Sequence, residues 1–191
     1  MSKYFAYIFF ALLLSLPSIS TADEYVLDPV HTQIIFFADH LGFSKSQGKF
    51  VDFNGHFSFN PKEPGAASAE VVINTSSIEM NDADWNAHMK NEDFFDVEKY
   101  PTMTFRSTKV EVLSDSHAKV HGELTMIGNT GPVVLDVVHN KSALHPFSKK
   151  FTAGFSATTT IKRSLFGMDY GLPHLGDDIE VRIEVEGQKT E

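Results

Sequence analysis

The side chains that could carry chemistry in this 191-residue chain are nine histidines and a scatter of carboxylates, with no cysteine at all. Thiol nucleophiles, thiolate metal sites and disulfides are therefore excluded. No Gly-x-Ser-x-Gly, His-Glu-x-x-His or glycine-rich phosphate loop occurs, so a nucleophile elbow, a zinc-protease helix and a nucleotide cradle are all without support. His117 and His121 stand four apart, which on one strand places both rings on the same face. His121 alternates with apolar neighbours and so points outward, and a solvated strand edge is the better reading. His31 and His40 bracket the first strand, and His88 shares a helical face with Trp85 and Met89. Each can meet the polar end of a ligand, or can be satisfied by backbone. The carboxylates fall on the outward parity and offer no pair for acid/base work. A metal-dependent hydrolase or isomerase built on His31, His40 or His88 is the enzymatic alternative.

The elements that must position these groups are strands. Ile179, Val181, Ile183 and Val185 alternate with Glu180, Arg182, Glu184 and Glu186, the signature of a half-buried strand. Phe151, Ala153, Phe155, Ala157 and Ile161 alternate with threonines, serine and Lys162, a composition that suits strand over helix. Val120, Leu124 and Met126 form another run, as do Val133, Leu135 and Val137 set against Asp136 and His139. Nearer the start, Ile34, Phe36 and Ala38 share a parity, and Val51, Phe53, Phe57 and Phe59 share the next. Val71 and Ile73 follow, then Met103 and Phe105, after which the apolar parity slips to Val110 and Val112. Such a slip predicts a bulge or a strand crossing between packing environments.

About eight strands result, with turns at Gly42, Asn60-Pro61, Ser114-Asp115, Gly128-Asn129 and His145-Pro146. One segment is helical: Asn81 or Asp82 caps a short helix carrying Trp85, His88 and Met89, followed by Phe94 and Phe95 and ended by Tyr100-Pro101. Eight antiparallel strands with a helical insertion fit a sandwich or a closed barrel, and closure is preferred because it leaves no apolar edge exposed.

The first 22 residues stand apart. Lys3, the apolar run Tyr4 to Leu16 and the small residues Ser20-Thr21-Ala22 predict a cleavable signal peptide, leaving residues 23–191 as the folded domain. Pro17 ends the run too early for a membrane-spanning helix. The expected location is the bacterial periplasm. A net charge of −9 excludes a general electrostatic grip on nucleic acid.

Of the 17 phenylalanines 14 lie beyond the leader, and those from several strands converge with the Trp85 segment on one interior, which an eight-stranded barrel can either fill with side chains or keep open for one small ligand. Parity does not distinguish the two. A resemblance bears on the question. Tyr25-Val26-Leu27-Asp28-Pro29-Val30-His31, His40-Leu41-Gly42, Gly48-Lys49-Phe50, Phe53-Asn54-Gly55, Asp93-Phe94-Phe95, Tyr100 to Phe105, Gly122-Glu123-Leu124-Thr125 and Gly154-Phe155-Ser156-Ala157 through Arg163 to Gly167 follow one another in this chain. That ordered set resembles the YceI-like family, the lipocalin-like polyisoprenoid-binding proteins of the bacterial periplasm, from about Tyr25 to Glu186. The resemblance implies an extended eight-stranded antiparallel lipocalin-like β-barrel with a helical insertion, an elongated apolar channel for a long isoprenoid, and no catalytic residues. Two departures concern the head group: Trp85-Asn86 where the family often has Arg-Asp, and Asn129-Thr130-Gly131-Pro132 after Gly128, without a basic residue.

The expected function is therefore a carrier that sequesters a polyisoprenoid or similar amphiphile, of the isoprenoid quinone type, with no cofactor beyond that non-covalently bound lipid. Phe36, Phe57, Val71, Ile73, Phe105, Leu124, Leu135, Phe155, Ile161, Val181 and Ile183 are the expected inward residues, with Trp85, Met89 and Phe94 over one mouth and His40 as the polar contact. An interaction module for a membrane redox partner, using the acidic exterior, is the other alternative. A transient membrane or membrane-protein partner and a homodimer are carried as candidate partners, the dimer only because symmetric pairs are common.

Overall fold

The computed structural model describes residues 22–191. The expected leader lies outside the described residues except for Ala22. Among the described residues no helix is long and apolar enough to cross a membrane.

The described residues form an eight-stranded antiparallel closed barrel with one short α-helix. Its strands succeed one another around the barrel in chain order, and three of them are bent. The first is β1 (Asp23–Leu27) continued by β2 (Gln33–His40); the second is β3 (Ser44–Phe50) continued by β4 (Phe53–Phe59); the third is β5 (Ser68–Asn74) continued by β6 (Ile78–Glu79). The remaining five run unbroken: β7 (Thr102–Val112), β8 (His117–Met126), β9 (Asn129–Leu144), β10 (Phe151–Lys162) and β11 (Leu175–Lys189). Closure comes from β11, which pairs with β1 at Tyr25↔Lys189 and with β2 from Glu184↔Gln33 to Leu175↔His40.

The bends invert which parity faces inward. Tyr25 and Leu27 are buried before the first bend, Ile34 and Phe36 after it; Phe50 before the second, Phe53, Phe57 and Phe59 after it; Ile73 before the third, Ile78 and Met80 after it. Val51 therefore does not share the burial of Phe53, as its parity suggests. It sits at the inversion and is exposed, while Phe50 takes the interior place. In β7 the slip in parity is a β-bulge, seen as a register shift between Ser107 and Lys109 opposite β8. A second irregularity lies in β10 between Gly154 and Phe155, opposite β9.

The turns fall where the sequence places them, with one correction. Asn129 to Pro132 form the start of β9, and the turn itself is Ile127-Gly128, both with positive φ. That is the backbone of the tight two-residue hairpin turns whose twist matches the flanking strands. Pro132 is tolerated inside a strand because this part of β9 pairs only with β8.

Between β6 and β7 the chain makes the helix α1 (Ala83–Lys90). Asp82 is its N-cap and accepts a hydrogen bond from the Trp85 amide at 2.9 Å. Asn86 fastens the helix to the barrel rim: its Oδ1 accepts from the Met80 amide and its Nδ2 donates to Glu79 Oε1. The helix lies at the end of the barrel shared by the β2–β3 turn and the β10–β11 connection, which we call the helix end.

Candidate functional site

The interior is hollow. A cavity of about 500 Å³ runs inside the barrel, and its lining extends from His40, Trp85 and Tyr170 at the helix end to Val112, Ser114 and His117 at the other. All fifteen residues expected from sequence border it: Phe36, His40, Phe57, Val71, Ile73, Trp85, Met89, Phe94, Phe105, Leu124, Leu135, Phe155, Ile161, Val181 and Ile183. The strands deliver them by simple alternation, since every second residue of β8 to β11 faces the axis.

Two aromatic clusters shape the ends. At the helix end Phe36 packs on Phe50 at 5.8 Å between ring centroids, and Phe50 meets the edge of Phe95 at 5.5 Å. His88, Phe94 and Tyr170 form a mutual edge-on triangle with centroids 5.0–5.4 Å apart. His40 is exposed at the rim, its ring 6.1 Å from that of Trp85. At the opposite end Phe155 stands edge-on to both Phe57 and Phe59, and His139 packs against Phe59 and Phe155 at 4.9 and 5.1 Å. Tyr25 stacks flat on Phe57 at 4.8 Å. Backbone makes room for some of these rings: a Cβ at Gly48 would stand 2.2 Å from Phe36.

Sequence reasoning set His139 on the polar side of β9 with Asp136. It shares the odd parity of Val133, Leu135 and Val137, and the structure turns it into the cavity. The signal was present in the parity. Burial among the rings pushes its imidazole below the ordinary value of 6.5, with a backbone hydrogen bond at Lys141 opposing that shift without reversing it. Its Nε2 shares a 2.8 Å hydrogen bond with Ser142 Oγ. Of the other polar groups lining this end, Ser58 shares a 2.8 Å hydrogen bond with Ser68 and Ser107 accepts from the Ala69 amide, while Asp115 and His117 border the mouth.

Arg163 was also missed. It is buried beside the cavity, and its guanidinium donates to the carbonyls of Gly176, Met168, Tyr170 and Leu175. Burial lowers its pKa, and Asp177 and Asp169 work against that. The residue knots the β10–β11 connection together at the helix end. No spacing in the sequence marks it.

The histidines do not assemble into one centre. His40 and His88 belong to the helix end, where His88 Nε2 lies 3.0 Å from Asp93 Oδ2. His31 is elsewhere, in a surface groove of about 260 Å³. There the ligand atoms of Asp28, His31 and Glu186 all lie within 4.8 Å of one another, an arrangement that could hold a cation. Asp28 already accepts from His31, the Val30 amide and Gln188 at 2.9–3.0 Å. Burial raises the Asp28 carboxyl, but these hydrogen bonds outweigh it and hold the pKa below the usual range; the same contact raises that of His31. His117 and His121 part company: His117 borders the far end of the cavity, while His121 meets Glu111 on the outside at 3.3 Å.

A hollow apolar barrel roofed at one end by a capped helix is what the sequence resemblance implies, and residues 25–187 match the model of the YceI-like domain. The chain belongs to the YceI-like family. A UPF0312 protein of Vibrio cholerae is 33% identical over 181 residues, covering 93% of each chain. The structure of the YceI-like protein of Campylobacter jejuni superposes with a TM-score of 0.70 at 32% identity, over 80% of this chain and 90% of that one. A polyisoprenoid binding domain from Saccharophagus degradans shares the YceI-like fold with a TM-score of 0.67 at 14% identity, over 87% of this chain and 98% of that one.

Proposed function

We propose that this YceI-like protein is a periplasmic carrier that sequesters a polyisoprenoid, of the isoprenoid quinone type, inside its barrel, after removal of residues 1–22 as a signal peptide. The observation that carries the reading is the continuous apolar cavity bordered by all eight strands and by α1. The kinship with a barrel described as polyisoprenoid-binding in Saccharophagus degradans supports it.

The mechanism is burial and not reaction. Each Å² of apolar surface withdrawn from water contributes about 25 cal/mol, so a few hundred Å² of prenyl chain yields several kcal/mol before ordering costs are subtracted. The lining has little to offer a charged group in mid-channel. A polar head is therefore placed at a mouth, where His40 beside Trp85 is one available side chain at the helix end, near Tyr170.

Organic extraction of the protein purified without detergent, followed by mass spectrometry, tests the reading. A prenylated quinone or polyprenyl compound in near-stoichiometric amount is expected. An empty barrel that also fails to take up such a compound from mixed micelles overturns it.

A further inference from the structure

The two ends of the barrel differ in what they show to solvent, and the end opposite the helix has the features of a surface that meets lipid. There β9 runs on from His139 to Leu144 with β10 as its only strand partner, so the β9–β10 hairpin projects about 20 Å past the start of β8. Its tip, His145 to Lys150, carries Phe147, which is 88% exposed. Leu144 at 61% and Phe151 at 40% flank it, and Leu113 at the neighbouring β7–β8 turn is 54% exposed.

The hairpin's own charge is one-sided, although Asp115 lies on the neighbouring β7–β8 turn and Glu184 and Glu186 share a groove with Leu144, His145 and Pro146. From Val137 to Met168 the sequence contains no carboxylate, in a chain whose net charge is −9. Lys149 and Lys150 lie beside Phe147, and among the described residues neither is ion-paired: Lys149 Nζ donates to the Pro146 carbonyl and Lys150 Nζ to Gln188 Oε1. The helix end also exposes Phe43 and Leu165, but two of its lysines are taken, Lys45 by Glu180 and Lys162 by Asp178, which leaves Lys90 on α1 without an ion pair among the described residues. Asp39, Asp84 and Asp169 add negative charge there.

We propose that the β9–β10 hairpin seats this end of the barrel on an anionic phospholipid bilayer, with Phe147 inserted among the headgroups and Lys149 and Lys150 against the phosphates. Aromatic and aliphatic groups flanked by lysine are the composition of interfacial anchors, and each lysine near an anionic surface contributes roughly five-fold in affinity. The cavity lining reaches the same end through Val112, Ser114 and His117, so seating brings that mouth to the membrane. The assignment rests on the lipid-carrier reading for its purpose, though not for its physics.

The test is co-sedimentation of the protein, residues 23–191, with phosphatidylcholine vesicles with and without phosphatidylglycerol. Binding is expected only with phosphatidylglycerol and weakens as salt is raised. K149Q/K150Q should lower the affinity roughly twenty-fold and Phe147→Ser at least several-fold, while Phe43→Ser leaves it unchanged. Failure to bind, equal binding by the lysine variant, or a loss confined to Phe43→Ser overturns the proposal, the last by moving the docking surface to the helix end. Uptake of dansyl-labelled farnesol from detergent by the same variants separates the two readings. Normal uptake with lost vesicle binding isolates docking, and vesicle binding without any uptake leaves the docking surface standing while removing the carrier reading.

Discussion

His139 shows how one side chain reports on the whole interior. Its imidazole is held below 6.5 because the neutral form suits a pocket made of Phe59 and Phe155. A lowered histidine pKa means that the unfolded chain takes up a proton before the folded one does. The stability it contributes is complete above about pH 6.5 and declines as pH falls from there through the lowered folded value. The melting temperature is accordingly expected to drop between about pH 7 and pH 5, and His139→Phe to flatten that part of the profile; an NMR titration placing the His139 midpoint above 6.5 contradicts it. His40 makes a different prediction. Exposed at the rim against Trp85, it can lend one hydrogen bond to a ligand head, worth about 1 kcal/mol net. His40→Ala should weaken retention of co-purified lipid roughly five-fold, and unchanged retention removes His40 from the site.

Among the elements, α1 is the most completely written in the sequence. Asn81 or Asp82 ahead of Trp85, His88 and Met89 marks both its start and its inner face, and the structure uses Asp82 as the cap. Asp82→Ala should cost about 1 kcal/mol in a urea unfolding experiment without changing the denaturant slope. The straight strands were equally legible. β10 and β11 alternate over most of their length, and Ile161, Val181 and Ile183 lie where parity puts them. The bent strands were less so, because a bend inverts parity and a reader who carries one phase across it misplaces the residue at the join. Val51 is that residue in the second strand. Phe151 fails for another reason: its phase is right, but it lies on the overhanging part of the hairpin where no interior remains to face. In β7 the inversion was visible because Phe105 and Val110 stand close enough for the slip to show.

For the molecule as a whole, the sequence specifies which residues face inward and leaves open whether they meet. Leu124 or Val181 is apolar and inward in a packed core and in a hollow one alike, so the cavity was beyond parity. A substitution distinguishes the two by energy. Ala157 is buried and borders the cavity, and Ala157→Phe adds a ring at that wall. In a filled core such overpacking costs about 1–3 kcal/mol. Here the ring enters empty space, so thermal stability is expected to stay within about 1 kcal/mol of the parent while lipid retention is lost, measured by calorimetry and by extraction. A large destabilisation would mean that the interior has no spare room.

The pairing of β1 with β11 at Tyr25↔Lys189 joins the two extremities of the folded domain. A chain that emerges N-terminus first therefore cannot shut its wall until its final stretch has appeared, and every earlier state presents an open sheet with its oily side in water. Such a state is slow to mature and prone to stick to its own kind. An open trough of that kind would also let a long guest of the proposed type be laid in sideways instead of being threaded through a mouth.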